Sequence, residues 1–287
     1  MSPDAFFADL TRRLLEWAET QPEIRLVMVV GSQARQVQPA DEYSDLDLSL
    51  YITDGASCQT LNAYLAWMRD FAPVWMILED HHDETKSWLI LYRGGLKVDF
   101  SVTPVGALQS LIAEQRLWDD QQRGYTILVD RDGMGPRLPR PTPFEPPSYT
   151  PPRREQFVHR VETFFYGAVY VARQIRRGNL WKVKWADQIQ QSMLLEMLEW
   201  HAHATNSNPV DTYNRGDFMR DWVSATTWQE LHAVSAHFDV EDSSRALLAS
   251  IRLFTRLTVE TAAALGYDCP RTMIAEVMEY IEGLVRA

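Results

Sequence analysis

Eight of the 15 prolines of this chain fall within the 17 residues Pro136–Pro152, PRLPRPTPFEPPSYTPP. Proline fixes φ and removes an amide donor, so neither a helix nor a central strand can run through this stretch. It reads as an extended, polyproline-like connector. A length of 287 residues suits about two domains of ordinary size. The connector therefore predicts domains over 1–135 and 153–287, joined by a 136–152 linker, with a cleft between them.

Hydrophobic periodicity differs on the two sides. Before the connector, Phe6, Phe7, Leu10, Leu14, Leu15 and Trp17 predict a helix over residues 3–20. Short apolar or alternating runs predict strands over 24–30, 45–52, 74–78, 87–92 and 97–102, with a helix over 61–69. Arg93-Gly94-Gly95 predicts a hairpin turn between the last two strands. After the connector the pattern is helical: 153–177, 182–203, 216–223, 228–235, 243–265 and 273–285. Gly178 and Gly266 stand where helix C-termini are expected. The expected class is α+β, a mixed-sheet domain followed by a helical bundle.

Charge narrows the partners. Residues 1–140 hold 21 acids against 13 bases, and the remainder 18 against 15, for a net charge of −11. Such a field repels nucleic acid and draws in cations, either Mg²⁺ or a polycationic small molecule. Two cysteines, Cys58 and Cys269, are too few for a disulfide framework or a thiolate metal site. No apolar run approaches the ~20 residues that span a bilayer. A cytoplasmic protein without membrane partners is expected.

The chemistry concentrates in three short stretches: Gly31-Ser32-Gln33-Ala34-Arg35, Ser44-Asp45-Leu46-Asp47-Leu48, and Lys97-Val98-Asp99-Phe100-Ser101. Alternation along a strand puts Asp45 and Asp47 on one face while Leu46 and Leu48 enter the core. Paired carboxylates on a rigid strand suit Mg²⁺, which takes one or two carboxylates together with phosphate oxygens and water. Asp99, on another strand among apolar neighbours, belongs with them as a third ligand or as the base for a hydroxyl. Gly31-Ser32 follows a strand directly and is expected to open a helix, cradling phosphate with backbone N–H groups and a hydroxyl.

At these residues the chain resembles the DNA polymerase β-like nucleotidyltransferase superfamily, and within it the aminoglycoside 6-adenylyltransferases. The likeness continues through Ile24-Arg25-Leu26-Val27, residues 71–79, Leu128-Val129-Asp130-Arg131-Asp132, Phe164-Phe165-Tyr166, Val171-Ala172-Arg173, residues 194–200 and Leu265-Gly266-Tyr267. It implies a nucleotidyltransferase domain before the connector and a substrate-binding bundle after it. It also implies Mg²⁺-dependent transfer of AMP from ATP to a hydroxyl of an aminoglycoside, with release of pyrophosphate. By matching positions, Gly31 and Ser32 contact phosphate, Asp45 and Asp47 hold the metal, and Asp99 completes the triad. Gln33 stands where relatives carry Arg, which moves the expected triphosphate contact to Arg35. Phe164-Phe165-Tyr166 lacks the family's tryptophan, and Gly216-Asp217 replaces a typical Gly-Lys.

In the second domain, Arg177, Lys182 and Lys184 lie near a helix junction expected to face the nucleotide and neutralise its phosphates. Asp187 is the alternative to Asp99 as general base. Trp181 and Trp185 suit stacking on adenine or lining the acceptor pocket. The run His81-His82-Asp83-Glu84 reads as a polar connector, and His201 and His203 as a helix terminus. Other readings are a different acceptor (a lincosamide-like compound, a protein side chain or a metabolite) and a non-catalytic nucleotide-binding module. A monomer suffices for either.

Overall fold

The computed structural model describes residues 2–55, 58–82, 84–141 and 149–286. The chain divides into two compact units, Met1–Glu145 and Pro146–Ala287. Of the proline-rich connector, 142–148 lie outside the described residues, as does Asp83. Leu138 is buried in the first unit, and the carbonyl of Pro152 accepts a hydrogen bond from the Tyr267 hydroxyl in the second.

The first unit follows the order α1 (Pro3–Glu19), β1 (Ile24–Val30), β2 (Leu46–Ile52), α2 (Cys58–Phe71), β3 (Val74–His82), β4 (Thr85–Tyr92), β5 (Leu96–Pro104), α3 (Val105–Glu114), α4 (Asp119–Gln122) and β6 (Thr126–Asp130). Its strands form one mixed sheet, β3-β4-β5-β2-β1-β6. Within it β2 and β5 run parallel and the other neighbours antiparallel. The hairpin expected at Arg93-Gly94-Gly95 joins β4 to β5. Helix α3 and strand β6 occupy ground where the apolar pattern gave no element. Both are short, and β6 is stabilised by pairing with β1 rather than by its own periodicity.

Each strand sends alternate residues to opposite faces. On one face Val27, Val29, Leu48, Leu50, Trp88, Ile90, Val98, Phe100 and Val102 are buried against Phe6, Phe7, Leu10 and Leu14 of α1 and Tyr64 and Met68 of α2. The other face is divided. Over β1 and the end of β2 it is apolar, with Leu26, Met28, Val30 and Tyr51 buried against α3, Met134 and Leu138. Over β2, β5 and β4 the residues of the same parity are Asp47, Ser49, Lys97, Asp99, Ser101, Thr103, Ser87 and Thr85, with Leu89 and Leu91 of β4 opposite Asp99 and Lys97, and no apolar layer can seat on the charged and hydroxyl-bearing part.

The second unit is helical: α5 (Arg154–Arg176), α6 (Leu180–Thr205), two single turns α7 (Tyr213–Gly216) and α8 (Met219–Trp222), α9 (Ala225–Leu231), α10 (Val240–Leu265) and α11 (Arg271–Arg286). Its core centres on Phe164 stacked on Phe254 at 3.6 Å. The single helix expected over 216–223 does not form. Phe218 within it adopts a left-handed φ of 51°, as do Asn214 and Arg215 just before it at 57° and 58°, so only the single turn α8 forms there. The architecture as a whole is α+β, a mixed sheet with its helices followed by an all-helical unit.

One buried hydrogen bond fixes the edge of the polar face. Gln121 on α4 donates to the Tyr51 hydroxyl at 2.8 Å, and its neighbour Asp120 is thereby held beside the sheet. Replacing Gln121 by Leu leaves that hydroxyl buried without a partner, at a cost of about 1–3 kcal/mol. The expected result is a lower urea midpoint with an unchanged m-value.

A carboxylate-rich candidate active site

The strand register explains why three acids that are distant in sequence meet. Asp47 and Asp99 are direct Cα partners across the parallel β2–β5 pair. Asp45 lies just before β2, at the end of a turn that its neighbours shape. The Asp41 carboxylate accepts from the Tyr43 amide at 3.0 Å and from the Ser44 hydroxyl at 2.9 Å, an Asx-turn that aims the following residue. Each of Asp45, Asp47 and Asp99 offers a carboxylate oxygen, and these oxygens lie within 4.8 Å of one another.

The electrostatics follow from that crowding. Burial, then the negative charges of Asp45 and Asp99, push the Asp47 carboxyl up to about 7. Burial also raises Asp99, against the pull of Lys97. Lys97, two residues before Asp99 on the same face of β5, donates to Asp45 at 2.5 Å and to Asp99 at 2.9 Å. Burial opposes its charge, but these two carboxylates outweigh it and hold the ammonium protonated above its usual range. A monovalent cation thus already sits between two of the three acids.

The phosphate end is built differently from expectation. Gly31–Gln33 forms one 3-10 turn rather than the start of an α-helix, because Arg35 donates to the carbonyl of Gln38, whose φ is +52°, and the chain turns away. The helix-dipole contribution expected there therefore drops out. What remains is a shaped cradle. Gly31 has φ +66°, and a Cβ on it would collide with the Asp47 carboxylate. The backbone of Ala34 and Arg35 comes so close to Gly124, φ +148°, that a Cβ there would lie 2.6 Å from the Ala34 carbonyl oxygen. Beside this turn the Ser32 hydroxyl is buried without a hydrogen-bond partner, as is Oδ1 of Asp99.

These features fit a divalent cation with an attached phosphate. The donors are all oxygen, as Mg²⁺ requires. An ammonium stands in for positive charge, and two orphaned buried oxygens await partners. Asp45, Asp47 and Asp99 would hold the metal, and Ser32 would donate to a phosphate oxygen.

In the second unit Arg177 closes α5, and Lys182, Lys184 and Asp187 stand on the first turns of α6. Arg177 and Lys182 are exposed. Lys184 is engaged within its own unit, donating to the Ala236 carbonyl at 3.1 Å and the Ser243 hydroxyl at 3.0 Å. Asp187 lies 3.6 Å from it, and burial raises its carboxyl. Trp181 and Trp185 are exposed on the same helix. Neither histidine at the end of α6 is left over for a site: His201 pairs with Glu260 at 2.7 Å and His203 with Thr212 at 3.1 Å.

Sequence reasoning missed Lys97, Asp120 and the row of hydroxyls. Their signal was the period of two in Lys97-Val98-Asp99-Phe100-Ser101-Val102-Thr103, which places every polar residue of β5 on the face of Asp99. Asp120, raised by burial, adds to the negative field on Asp47 and had no such signal, because α4 is one turn long.

Replacing Lys97 with Met removes the resident competitor for the acids, so Mn²⁺ binding measured calorimetrically without nucleotide tightens by about fivefold; unchanged or weaker binding contradicts the stand-in role. Because Asp47 must lose its proton to bind metal, cation affinity rises with pH by about tenfold per unit up to about 7 and then levels off. In the metal-free protein the sign for stability is the reverse. The folded state holds a proton that the unfolded chain releases near 3.8, so this group's contribution is lost as pH climbs from about 4 to about 7. Asp47→Asn removes that pH dependence.

Known proteins resemble this chain along most of its length. The family model described as streptomycin adenylyltransferase matches residues 7–284. The chain is 22% identical over 281 residues to the aminoglycoside 6-adenylyltransferase of Bacillus subtilis (strain 168), covering 95% of this chain and 93% of that protein. It is 23% identical over 266 residues to the enzyme of the same name from Campylobacter jejuni, covering 90% and 88%. A crystal structure of an aminoglycoside 6-adenyltransferase from Bacillus subtilis aligns over 96% of each chain with a TM-score of 0.45 and 19% identity. With the family model spanning nearly the whole sequence, the chain belongs to the streptomycin adenylyltransferase family and is a nucleotidyltransferase.

Proposed function

We propose that this enzyme transfers AMP from ATP to a hydroxyl of an aminoglycoside, with Mg²⁺ as the cation and pyrophosphate as the leaving group. The observation that carries the reading is the meeting of Asp45, Asp47 and Asp99 beside the orphaned Ser32 hydroxyl. The relatives named aminoglycoside 6-adenylyltransferase support the acceptor class, as does the net charge of −11, which favours a polycation over a polyanion.

The roles follow from position. Mg²⁺, when bound, neutralises charge developing on the phosphate oxygens. Ser32 and the Gly31 turn orient the triphosphate, and Arg35 is the nearest base in sequence to that turn. Asp99 is the proton acceptor. Its Oδ2 is engaged by Lys97 and its Oδ1 is buried without a partner, so the carboxylate takes the proton of an attacking hydroxyl once the ammonium is displaced. The acceptor oxygen then bonds to the α-phosphorus as the bond to pyrophosphate breaks. On the helical unit, Asp187 is the alternative base, and Arg177 and Lys182 are the candidates for phosphate contact. Lys184, engaged with Ala236, Ser243 and Asp187, serves the packing of that unit.

The test is pyrophosphate release from Mg²⁺ and ATP in the presence of a panel headed by streptomycin, with other aminoglycosides and a lincosamide, and Asp45→Ala as the blank. Streptomycin-dependent release, with the drug heavier by one AMP, is the expected result. ATP binding without release for every panel member overturns the acceptor assignment. Asp99→Asn is expected to lower kcat by about 10²-fold or more, and Asp187→Asn by much less; the opposite order moves the base to α6.

A further inference from the structure

The ammonium of Lys97 sits where two of the three acids converge, 2.5 Å from Asp45 and 2.9 Å from Asp99. It cannot keep both contacts once Asp45 and Asp99 turn their oxygens to a divalent cation. Resting on the function proposed above, we infer that Lys97 then becomes a phosphate ligand: its ammonium moves onto a non-bridging oxygen of the nucleotide phosphate under attack, and the same movement releases Asp99 to act as base.

Reach favours this destination. Asp99 must lie within hydrogen-bond distance of the attacking hydroxyl, and that oxygen must come within about 3–3.5 Å of the α-phosphorus. An ammonium 2.9 Å from Asp99, on a four-carbon stem, therefore reaches the oxygens of the same phosphate by side-chain rotation, with β5 unmoved. Its neighbours offer little else. On one side β4 sets Leu91 opposite Lys97 and Leu89 opposite Asp99, and a charge gains nothing against leucine. On the other side stands Asp47, the partner of Asp99 on β2, which is itself one of the acids that would hold the metal.

Charge decides between the phosphate and open solvent. Three carboxylates outnumber the charges of one divalent cation, and a triphosphate adds several more, so the loaded site remains negative and retains an ammonium close by. Other bases of the first unit are engaged elsewhere: Arg35 with the Gln38 carbonyl, Arg116 with Glu114 and Arg25 with Asp132. Lys97 is the base that touches the triad. A compact head with three donors exchanges a carboxylate oxygen for a phosphate oxygen without losing charge-assisted hydrogen bonds. Placed there, it neutralises the charge that develops on the phosphoryl oxygens as the acceptor O–P bond forms and the P–O bond to pyrophosphate breaks. The hydroxyl proton passes to Asp99, and Lys97 keeps its own protons throughout. Asp99 is thus unmasked as a base when the nucleotide is in place.

The test compares wild type with Lys97→Met and Lys97→Arg by calorimetry, and a thermal scan of each confirms folding. Mn²⁺ is titrated alone, and the non-hydrolysable α,β-methylene analogue of ATP is then titrated into protein saturated with Mn²⁺. In Lys97→Met the two affinities are expected to move in opposite directions: Mn²⁺ alone binds about fivefold tighter, and the analogue about tenfold weaker. Lys97→Arg keeps the charge and is expected to hold the analogue within about threefold of wild type. A lysine that only balances the acids, or only supports the fold, does not produce this reversal. If Lys97→Met binds the analogue as tightly as wild type or more tightly, the phosphate role is overturned and the proposed function stands. If wild type saturated with Mn²⁺ does not bind the analogue, both fall together.

Discussion

Three carboxylates cannot share a few ångströms of half-buried sheet surface unless a cation joins them. At an effective dielectric of about 20, each like-charged pair ~4 Å apart costs about 4 kcal/mol, and the strand register gives Asp47 and Asp99 no room to separate. The protein meets this demand in two ways. Lys97 supplies one charge between Asp45 and Asp99, and Asp47 retains a proton up to about pH 7. Both are replaceable: a divalent ion carries twice the charge of the ammonium and displaces the proton. The metal-free site is therefore strained in the sense that matters for binding, and entry of the cation relieves it.

The rest of the first unit follows from keeping that half of the sheet polar. One face is sealed by α1 and α2, and the other is sealed by α3 and the 134–138 segment only over β1 and the end of β2. The uncovered half holds the acids, the lysine and the hydroxyl row. A second apolar layer there would bury charges at a cost no packing could offset. The half of the sheet without an apolar layer is thus the structural counterpart of the chemistry, and the glycines at 31 and 124 let the phosphate turn approach it.

Much of this was legible in the sequence because it rests on local pattern. Alternation in Asp45-Leu46-Asp47-Leu48 gave the paired acids, and the place of Asp99 among apolar neighbours on a second strand joined it to them. The α+β class and its helical second half followed from periodicity. Other features depended on neighbours distant in sequence. The Gly31 turn is not a helix because Arg35 and Gln38 close it. Lys97 has a role only once β5 lies beside β2. Asp120 enters the field of Asp47 through a one-turn helix anchored by Gln121 to Tyr51. The helix expected over 216–223 shrank to one turn because Phe218 takes a left-handed backbone conformation, which its apolar spacing did not signal.

The central claim is that the triad is the cation site of the enzyme. Anomalous scattering from crystals grown with Mn²⁺ and the α,β-methylene analogue of ATP tests it most directly. The account predicts a manganese peak ligated by Asp45, Asp47 and Asp99, with Lys97 moved off at least one of its two carboxylates and Ser32 on a phosphate oxygen. A bound nucleotide whose manganese is held elsewhere, with Lys97 still bridging Asp45 and Asp99, would contradict it.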